Sequence, residues 1–318
     1  MKNVFSHLRV SSEYSISQGL LTINQIVDSA VKHSIPSVAL TDRSNMFGLV
    51  KFFNKCEASG IKPISGSSIR VIFDDDEQSH ELLCLAKTNI GHKNLMRIIS
   101  SAHNNYSYQS PIINFNDLIK LKDDIIVISG GKDSHVFELL KRNKIKDAEK
   151  KIESFLRVFD DDFILEVQKT NRPDEFEYFS NILPIASTKG IPLIATNDVL
   201  FAKPDDFDTH ETKVCINTGK TLNDPNREKI FSQEQFFKSS DDMAKLFKGF
   251  DSLLENTNEI SKKCNVSIHT KQYFLPEYPV PDEHNFDSFL VDLSKKRLQE
   301  FINDFDDKKN KIYTDRLD

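Results

Sequence analysis

Short apolar runs separated by stretches of helical periodicity constrain this chain more than any other feature. Val4 to Val10 reads as a strand, and Ile23, Ile26, Val27, Ala30 and Val31 then fall at i, i+3, i+4, i+7 and i+8, the spacing of an amphipathic helix. Thr22, with Gln25 three residues later, is placed to cap it. Ser37 to Leu40 is a second buried strand, followed by a helix with a predicted inner face of Met46, Leu49, Val50 and Phe53 and a cap at Ser44 or Asn45. The unit repeats: further strands are predicted at Ile69–Phe73, Leu82–Ala86, Ile125–Ile128, Phe163–Val167 and Leu193–Ala195, with helical segments near 91–103, 133–157, 174–189 and 205–216. Strands joined by helix-length connections imply parallel βαβ units. This many in succession imply a closed or nearly closed barrel, with a doubly wound open sheet as the alternative. In either architecture the chemistry sits at the carboxyl ends of the strands. Those ends carry His7 and Arg9, Thr41-Asp42-Arg43, Ser129-Gly130-Gly131, Gln168 to Thr170, and Thr196-Asn197-Asp198, a polar ring at the expected place.

Composition narrows the function classes. With 42 basic and 48 acidic residues the formal charge is −6, so the chain lacks the basic excess of a dedicated phosphate-backbone binder. Cys56, Cys84, Cys215 and Cys264 are scattered without a CxxC pair, against a structural zinc site or a disulfide framework and in keeping with a reducing cytoplasm. No stretch approaches the ~20 apolar residues of a membrane span. After residue 217 the chain turns to Phe-containing, Lys/Asp-rich stretches, read as helical over Phe231–Phe250 and Asp251–Cys264. The proline-rich YFLPEYPVPDEH from Tyr273 reads as a linker, and a helix carrying Phe286, Phe289, Leu290 and Leu293 is expected to run on beyond Leu298 and Ile302. The sequence stops at Asp318 with no closing turn, which reads as an arbitrary end.

Several motifs resolve into bland readings. GKT at Gly219–Thr221 lacks the first glycine of a P-loop, since Val214 stands there. SGGKDS after the 125–128 strand resembles the pyrophosphate loop of ATP pyrophosphatases. The simpler reading is a tight turn in which Asp133 or Ser134 caps a helix. His33, His92, His103, His135, His269 and His284 lie singly, whereas His7, His80, His210 and Asp198 sit at or near strand ends. The runs Asp74-Asp75-Asp76-Glu77 and Asp160-Asp161-Asp162 read as solvated turns.

HLRVSSEYSISQG from His7, VALTDRSNMFGLVKF from Val38, GIKPISGSSIRV from Gly60, HELLCLAKTNIGHKNL from His80, IATNDV from Ile194, CINTGKTLND from Cys215 and YFLPEYPVP from Tyr273 together resemble the N-terminal region of bacterial DNA polymerase III alpha subunits. The resemblance implies a polymerase-and-histidinol-phosphatase (PHP) domain, a distorted (β/α)7 barrel, over residues 1–270. A helical linker and the incomplete start of a polymerase palm would follow over 271–318. In family members with an intact site, histidines and carboxylates hold metal ions at the barrel mouth. The corresponding positions here are His7, Arg9, Gln18, Arg43, Ser68, His80, Thr170, Asp198 and Leu200, of which only His7, His80 and Asp198 keep a ligand type. Two arginines place fixed positive charge where cations would bind, so a degenerate, metal-free mouth is expected, with Arg9 and Arg43 paired to Asp42, Asp198 or Asp208 and His210 close by. The family implies DNA synthesis with Mg²⁺ by residues beyond Asp318. For this stretch it implies a scaffold that docks the rest of the alpha chain, the proofreading 3′–5′ exonuclease and the replicase, with DNA held by other domains. A working PHP phosphoesterase and an adenylating enzyme built on SGGKDS are the alternatives, and the error-prone paralogue shares the same motifs.

Overall fold

In a computed structural model, residues 5–74, 76–104, 110–129, 131–269, 273, 275–303 and 305–317 are described. Val4, Asp75, Gly130, Phe274 and Asp318, which figure in the sequence reading, lie outside them.

The apolar runs become one sheet. β1 (Ser37–Leu40) pairs in parallel with β2 (Lys62–Ile72), and β2 pairs antiparallel with β3 (Ser79–Ala86). β3 pairs antiparallel with β5 (Ile125–Ile128), after which β5, β6 (Phe163–Gln168) and β7 (Leu193–Thr196) run parallel. A short β4 (Ile112–Asn114) lies alongside β2, off this path. Residues 7–10 close the circle: His7 bridges Val38 of β1, and Val10 bridges Val199 just past β7. The amide of Ala39 donates to the carbonyl of His7 at 2.8 Å and that of Val199 to the carbonyl of Arg9 at 3.2 Å. The two edges are thus joined, which leaves a barrel with no open strand at this seam.

Side-chain alternation sorts the strand residues onto two faces. Leu8, Ala39, Ile64, Leu83, Leu85, Ile126, Ile128, Ile164 and Ile194 form one buried cluster, the barrel interior. Residues of opposite register, such as Leu82, Cys84, Leu165 and Val167, pack outward against helices in a larger cluster. The helices include α1 (Ile23–Lys32), α2 (Leu49–Ala58), α3 (Asn89–Asn104), α4 (Phe115–Ile119), α5 (His135–Lys141), α6 (Ile145–Phe159), α7 (Glu175–Lys189) and α8 (Phe207–Thr218). After α9 (Ser240–Leu246), α10 (Asp251–Lys263) seals the end of the barrel where β1, β2 and β7 begin. Its Ile260, with Cys264 beyond it, joins the interior cluster. Thr257 Oγ1 accepts from the amide of Ser6 at 3.0 Å, Ser261 Oγ donates to Ser37 Oγ at 2.8 Å, and Lys62 Nζ donates to the Ser261 carbonyl at 2.6 Å.

Several local expectations change. β3 is antiparallel because only six residues separate it from β2, too few for a crossover helix. β2 starts at Lys62, well before the predicted Ile69, because Ser65-Gly66-Ser67-Ser68 carries no apolar pattern. At Gly66 a Cβ would come within 2.6 Å of Leu85 Cδ2, so the barrel interior requires glycine there. The predicted 133–157 helix breaks into α5 and α6 at Asn143, whose φ is +58°. α2 begins after Gly48 with no side-chain cap. It buries Leu49, Phe52, Phe53 and Cys56, while Val50 is exposed. Residues 231–239 form no helix, and Phe236 bridges Phe201 instead. The Thr22–Gln25 capping box forms as read, with Gln25 N donating to Thr22 Oγ1 at 3.2 Å.

The chain divides into two compact units, 1–268 and 269–318. The second holds α11 (Phe286–Ile302), with a capping box between Asn285 and Ser288, and α12 (Asp307–Leu317). The helix expected to pass Ile302 stops there, and Phe301, Phe305 and Tyr313 pack edge to face between the two helices. No residue of α11 or α12 is buried.

Candidate functional site

The strand ends meet in a small polar cleft of about 130 Å³, lined by Arg9, Gln18, Arg43, Glu81, Gln168, Arg172 and Asp198 among others. Arg9 is its centre. The guanidinium donates to Glu166 through Nε at 3.2 Å and Nη2 at 2.6 Å, a two-point fork, and through Nη1 to Glu81 at 2.5 Å and to Ser68 Oγ at 3.5 Å. Arg9 and Glu81 are 4% exposed and Glu166 is fully buried, so these ion pairs are shielded from solvent. Burial opposes the charge on Arg9, but Glu166 and Glu81 outweigh it and hold the guanidinium firmly protonated. Thr196 Oγ1 donates to Glu166 Oε2 at 2.6 Å and accepts from Gln168 Nε2 at 3.0 Å.

A second arginine organises the other side. Arg172 donates to Asp198 Oδ2 at 2.9 Å, to Glu175 Oε1 at 3.1 Å and to Gln168 Oε1 at 2.5 Å. Burial pushes the Asp198 carboxyl up, yet Arg172 and Arg9 more than offset it and hold it below the usual carboxylate range. Gln235 Nε2 also donates to Asp198 Oδ2, at 2.8 Å. Thr170 spends its amide and hydroxyl on the Glu175 carboxylate, both at 2.6 Å. Arg43, with a side chain 30% exposed, donates to Glu81 at 3.2 Å.

The arginine partners expected from the sequence are therefore revised. Asp42 takes no arginine: its carboxylate accepts from the Ser12 amide and the Ser12 and Ser15 hydroxyls, each at 2.7 Å. Asp198 pairs with Arg172, and Asp208 is an exposed residue of α8. His210 is buried between Phe201 and Phe231, at ring distances of 5.3 and 4.8 Å, and burial lowers its pKa. Leu200 is fully buried, its amide donating to the Gln235 carbonyl. His7 lies under the mouth between Phe5 and Phe237 and donates through Nε2 to the Lys238 carbonyl at 2.9 Å. Burial pushes its pKa down to about 4.

The largest displacement is at His80. Strand alternation gives the inward position to Glu81, while His80 faces the outer side of β3. There Nε2 lies 2.7 Å from Asp76 Oδ2, and the ring stacks on His135. Asp76 and His135, read as a solvated turn residue and a lone histidine, are brought to His80 by the 73–78 hairpin and the first turn of α5. Sequence reasoning also missed Glu81, Glu166, Arg172 and Glu175. For Glu81 and Glu166 the available signal was a charged residue at an inward register inside an apolar strand, as in Phe-Ile-Leu-Glu-Val-Gln.

The remaining motifs take structural places. In SGGKDS, Ser134 Oγ accepts from the Phe137 amide at 3.2 Å and caps α5. Gly131 has φ +58°, and a Cβ there would lie 2.8 Å from Gln168 Nε2, so this turn serves the mouth. Gly219 ends α8 in a left-handed cap, and no helix begins after it. All four cysteines are free and buried, and burial raises Cys56, Cys84 and Cys264 to about 12, which makes them unreactive. Among the described residues no helix is long and apolar enough to cross a membrane.

DNA polymerase III subunit alpha of Escherichia coli O6:H1 is 38% identical over 325 residues, covering 99% of this chain and 28% of the relative. The protein of the same name from Pseudomonas fluorescens is 35% identical over 324 residues, covering 98% of this chain and 28% of the relative. The chain thus spans little more than a quarter of the length of these curated relatives. Among solved structures, an amidohydrolase from Chromobacterium violaceum aligns with a TM-score of 0.42 and 13% identity over 66% of this chain and 96% of its own. The PHP domain model matches residues 7–170, which hold Arg9, Arg43, Glu81 and Glu166 of the mouth, and the chain belongs to the PHP domain family.

Proposed function

We propose that this chain is the PHP part of a replicative DNA polymerase III alpha subunit, a scaffold whose mouth is closed by ion pairs in place of metal ions. The observation that carries the reading is the position of Arg9. Its guanidinium takes up both Glu166 oxygens and one Glu81 oxygen, the carboxylates best placed to hold a cation. A divalent ion would sit against that fixed charge and would have to displace it from two buried carboxylates. The donor set therefore does not fit the metal cluster of an intact PHP site, and no hydrolytic step is derived through one.

On this reading nucleotidyl transfer with Mg²⁺ belongs to other parts of the polymerase. This stretch supports the palm, to which residues 271–318 would contribute the first segment, and it docks the proofreading 3′–5′ exonuclease within a cytoplasmic replicase. The test has two arms. Incubated with a chromogenic phosphodiester and Mn²⁺ or Zn²⁺, the purified chain is expected to give no turnover above that of the metal alone. Mixed with the exonuclease subunit of the same replicase, it is expected to co-elute on size exclusion. Metal-dependent turnover abolished by Asp198→Asn would replace the scaffold reading with a phosphoesterase, and failure to co-elute would remove the docking role.

A further inference from the structure

Outside the mouth, three groups able to bind a metal meet on the outer face of β3. His80 and His135 stack with ring centroids 4.3 Å apart and planes 6° from parallel. Both present Nε2 to one oxygen, Asp76 Oδ2, at 2.7 and 3.4 Å. One potential ligand atom from each residue lies within 4.8 Å of the others. The side chains are 7%, 11% and 22% exposed, so the cluster is sheltered yet open on the carboxylate side.

The surroundings fix this geometry. Phe73 packs against both imidazoles, with ring distances of 6.1 Å to His80 and 5.3 Å to His135. Ser134 caps α5 and so sets the position of His135 at its first residue. The Asp76 carboxyl feels burial pushing it up, but the Gln78 amide and then the two histidines outweigh this and keep it below the usual carboxylate range. An ionised carboxylate faces two imidazole nitrogens, and these are the donors that a borderline divalent ion prefers. At metal–nitrogen distances of about 2.0–2.1 Å, two ligands around a tetrahedral ion stand roughly 3.4 Å apart. Reaching that spacing needs the His80 and Asp76 ligand atoms to move apart and the two near-parallel imidazole planes to turn toward a common point.

We propose that Asp76, His80 and His135 form a Zn²⁺ site separate from the barrel mouth, with water as the fourth ligand. The open position faces a cleft of about 420 Å³ whose rim includes Arg142, Lys144 and Lys150. Two of these cations are already engaged, Arg142 with Glu138 and Lys150 with Asp147, which moderates their repulsion of a bound ion. The ion would tie the β2–β3 hairpin to the start of α5, two elements more than fifty residues apart in the chain.

The test is titration of the 318-residue chain with Co²⁺ and Zn²⁺. One equivalent of Co²⁺ is expected to give the visible absorption of a four-coordinate site, and Zn²⁺ should displace it. Asp76→Asn and His135→Gln should each weaken Zn²⁺ binding at least tenfold. X-ray absorption of the zinc-loaded, unsubstituted chain needs no variant to fold and should show two imidazoles and oxygen ligands near 2.0–2.1 Å. Absence of stoichiometric binding, affinity unchanged in both variants, or a zinc environment with fewer than two imidazoles would each overturn the site.

Discussion

Glu81 and His80 are consecutive on β3 and face opposite ways, and they divide the molecule's polar chemistry in two. Inside, Glu81 joins Arg9, Glu166 and Arg43 in a network in which every carboxylate has an arginine. Outside, His80 joins His135 and Asp76, and one potential ligand atom of each lies within 4.8 Å of the others. In the inner set Arg9, Glu81 and Glu166 are buried, while the Arg43 side chain is 30% exposed. In the outer set two stacked imidazoles turn Nε2 toward one carboxylate oxygen.

The contrast breaks most sharply at Arg9. Arg9→Met should cost about 3–5 kcal/mol in urea unfolding, because buried Glu166 loses its counter-ion and buried Glu81 keeps only Arg43. A loss under about 1 kcal/mol would mean that Glu81 and Glu166 are satisfied without it. The next largest effect lies in acid. His7 is held neutral, with its pKa near 4 against 6.5 in the unfolded chain. Its contribution is complete above pH 6.5 and is lost as the pH falls toward 4, because the unfolded chain takes up the proton first. That loss amounts to about 3 kcal/mol, and His7→Gln should flatten the corresponding slope of unfolding free energy against pH. A slope left unchanged would show that His7 is protonated in the fold. Smaller again, Gly131→Ala should cost about 1–2 kcal/mol through its left-handed backbone and the push on Gln168. Smallest is the outer face. In metal-free protein, His80→Gln should change stability by no more than about 1 kcal/mol, since it removes one hydrogen bond to an Asp76 carboxylate that is 22% exposed. If the His80 substitution cost as much as Arg9→Met, the division between the two faces of β3 would fail.

The sequence carried the barrel further than the site. Apolar runs and 3.6-residue spacing located β1, β5, β6, β7 and α1, since burial on one or both faces leaves a local pattern. The start of β2 was hidden because small polar residues line a crowded interior at Ser65–Ser68, and the antiparallel course of β3 was hidden in a short acidic hairpin. At the mouth, positions could be read but partners could not. Glu166 reaches Arg9 across 157 residues, and only closure of the sheet makes them neighbours. His80 was assigned to the inner face because a one-residue slip in a strand reverses every side chain. His135 looked solitary because His80 and Asp76 lie more than fifty residues away in sequence.

The seal formed by α10 also sets a schedule. Ser6 is bonded to Thr257 and Asn258, partners about 250 positions later, and Ser37 to Ser261. Such long-range contacts are slow to form, since the intervening chain must be ordered before they can be made. On a ribosome adding roughly 5–20 residues each second, the first strand would wait on the order of 10–50 s for its final partner to be made. During that interval the apolar face of α1 and the strand edge at β1 have no barrel to join. Chaperone dependence in the nascent chain should therefore end abruptly, when α10 clears the exit tunnel.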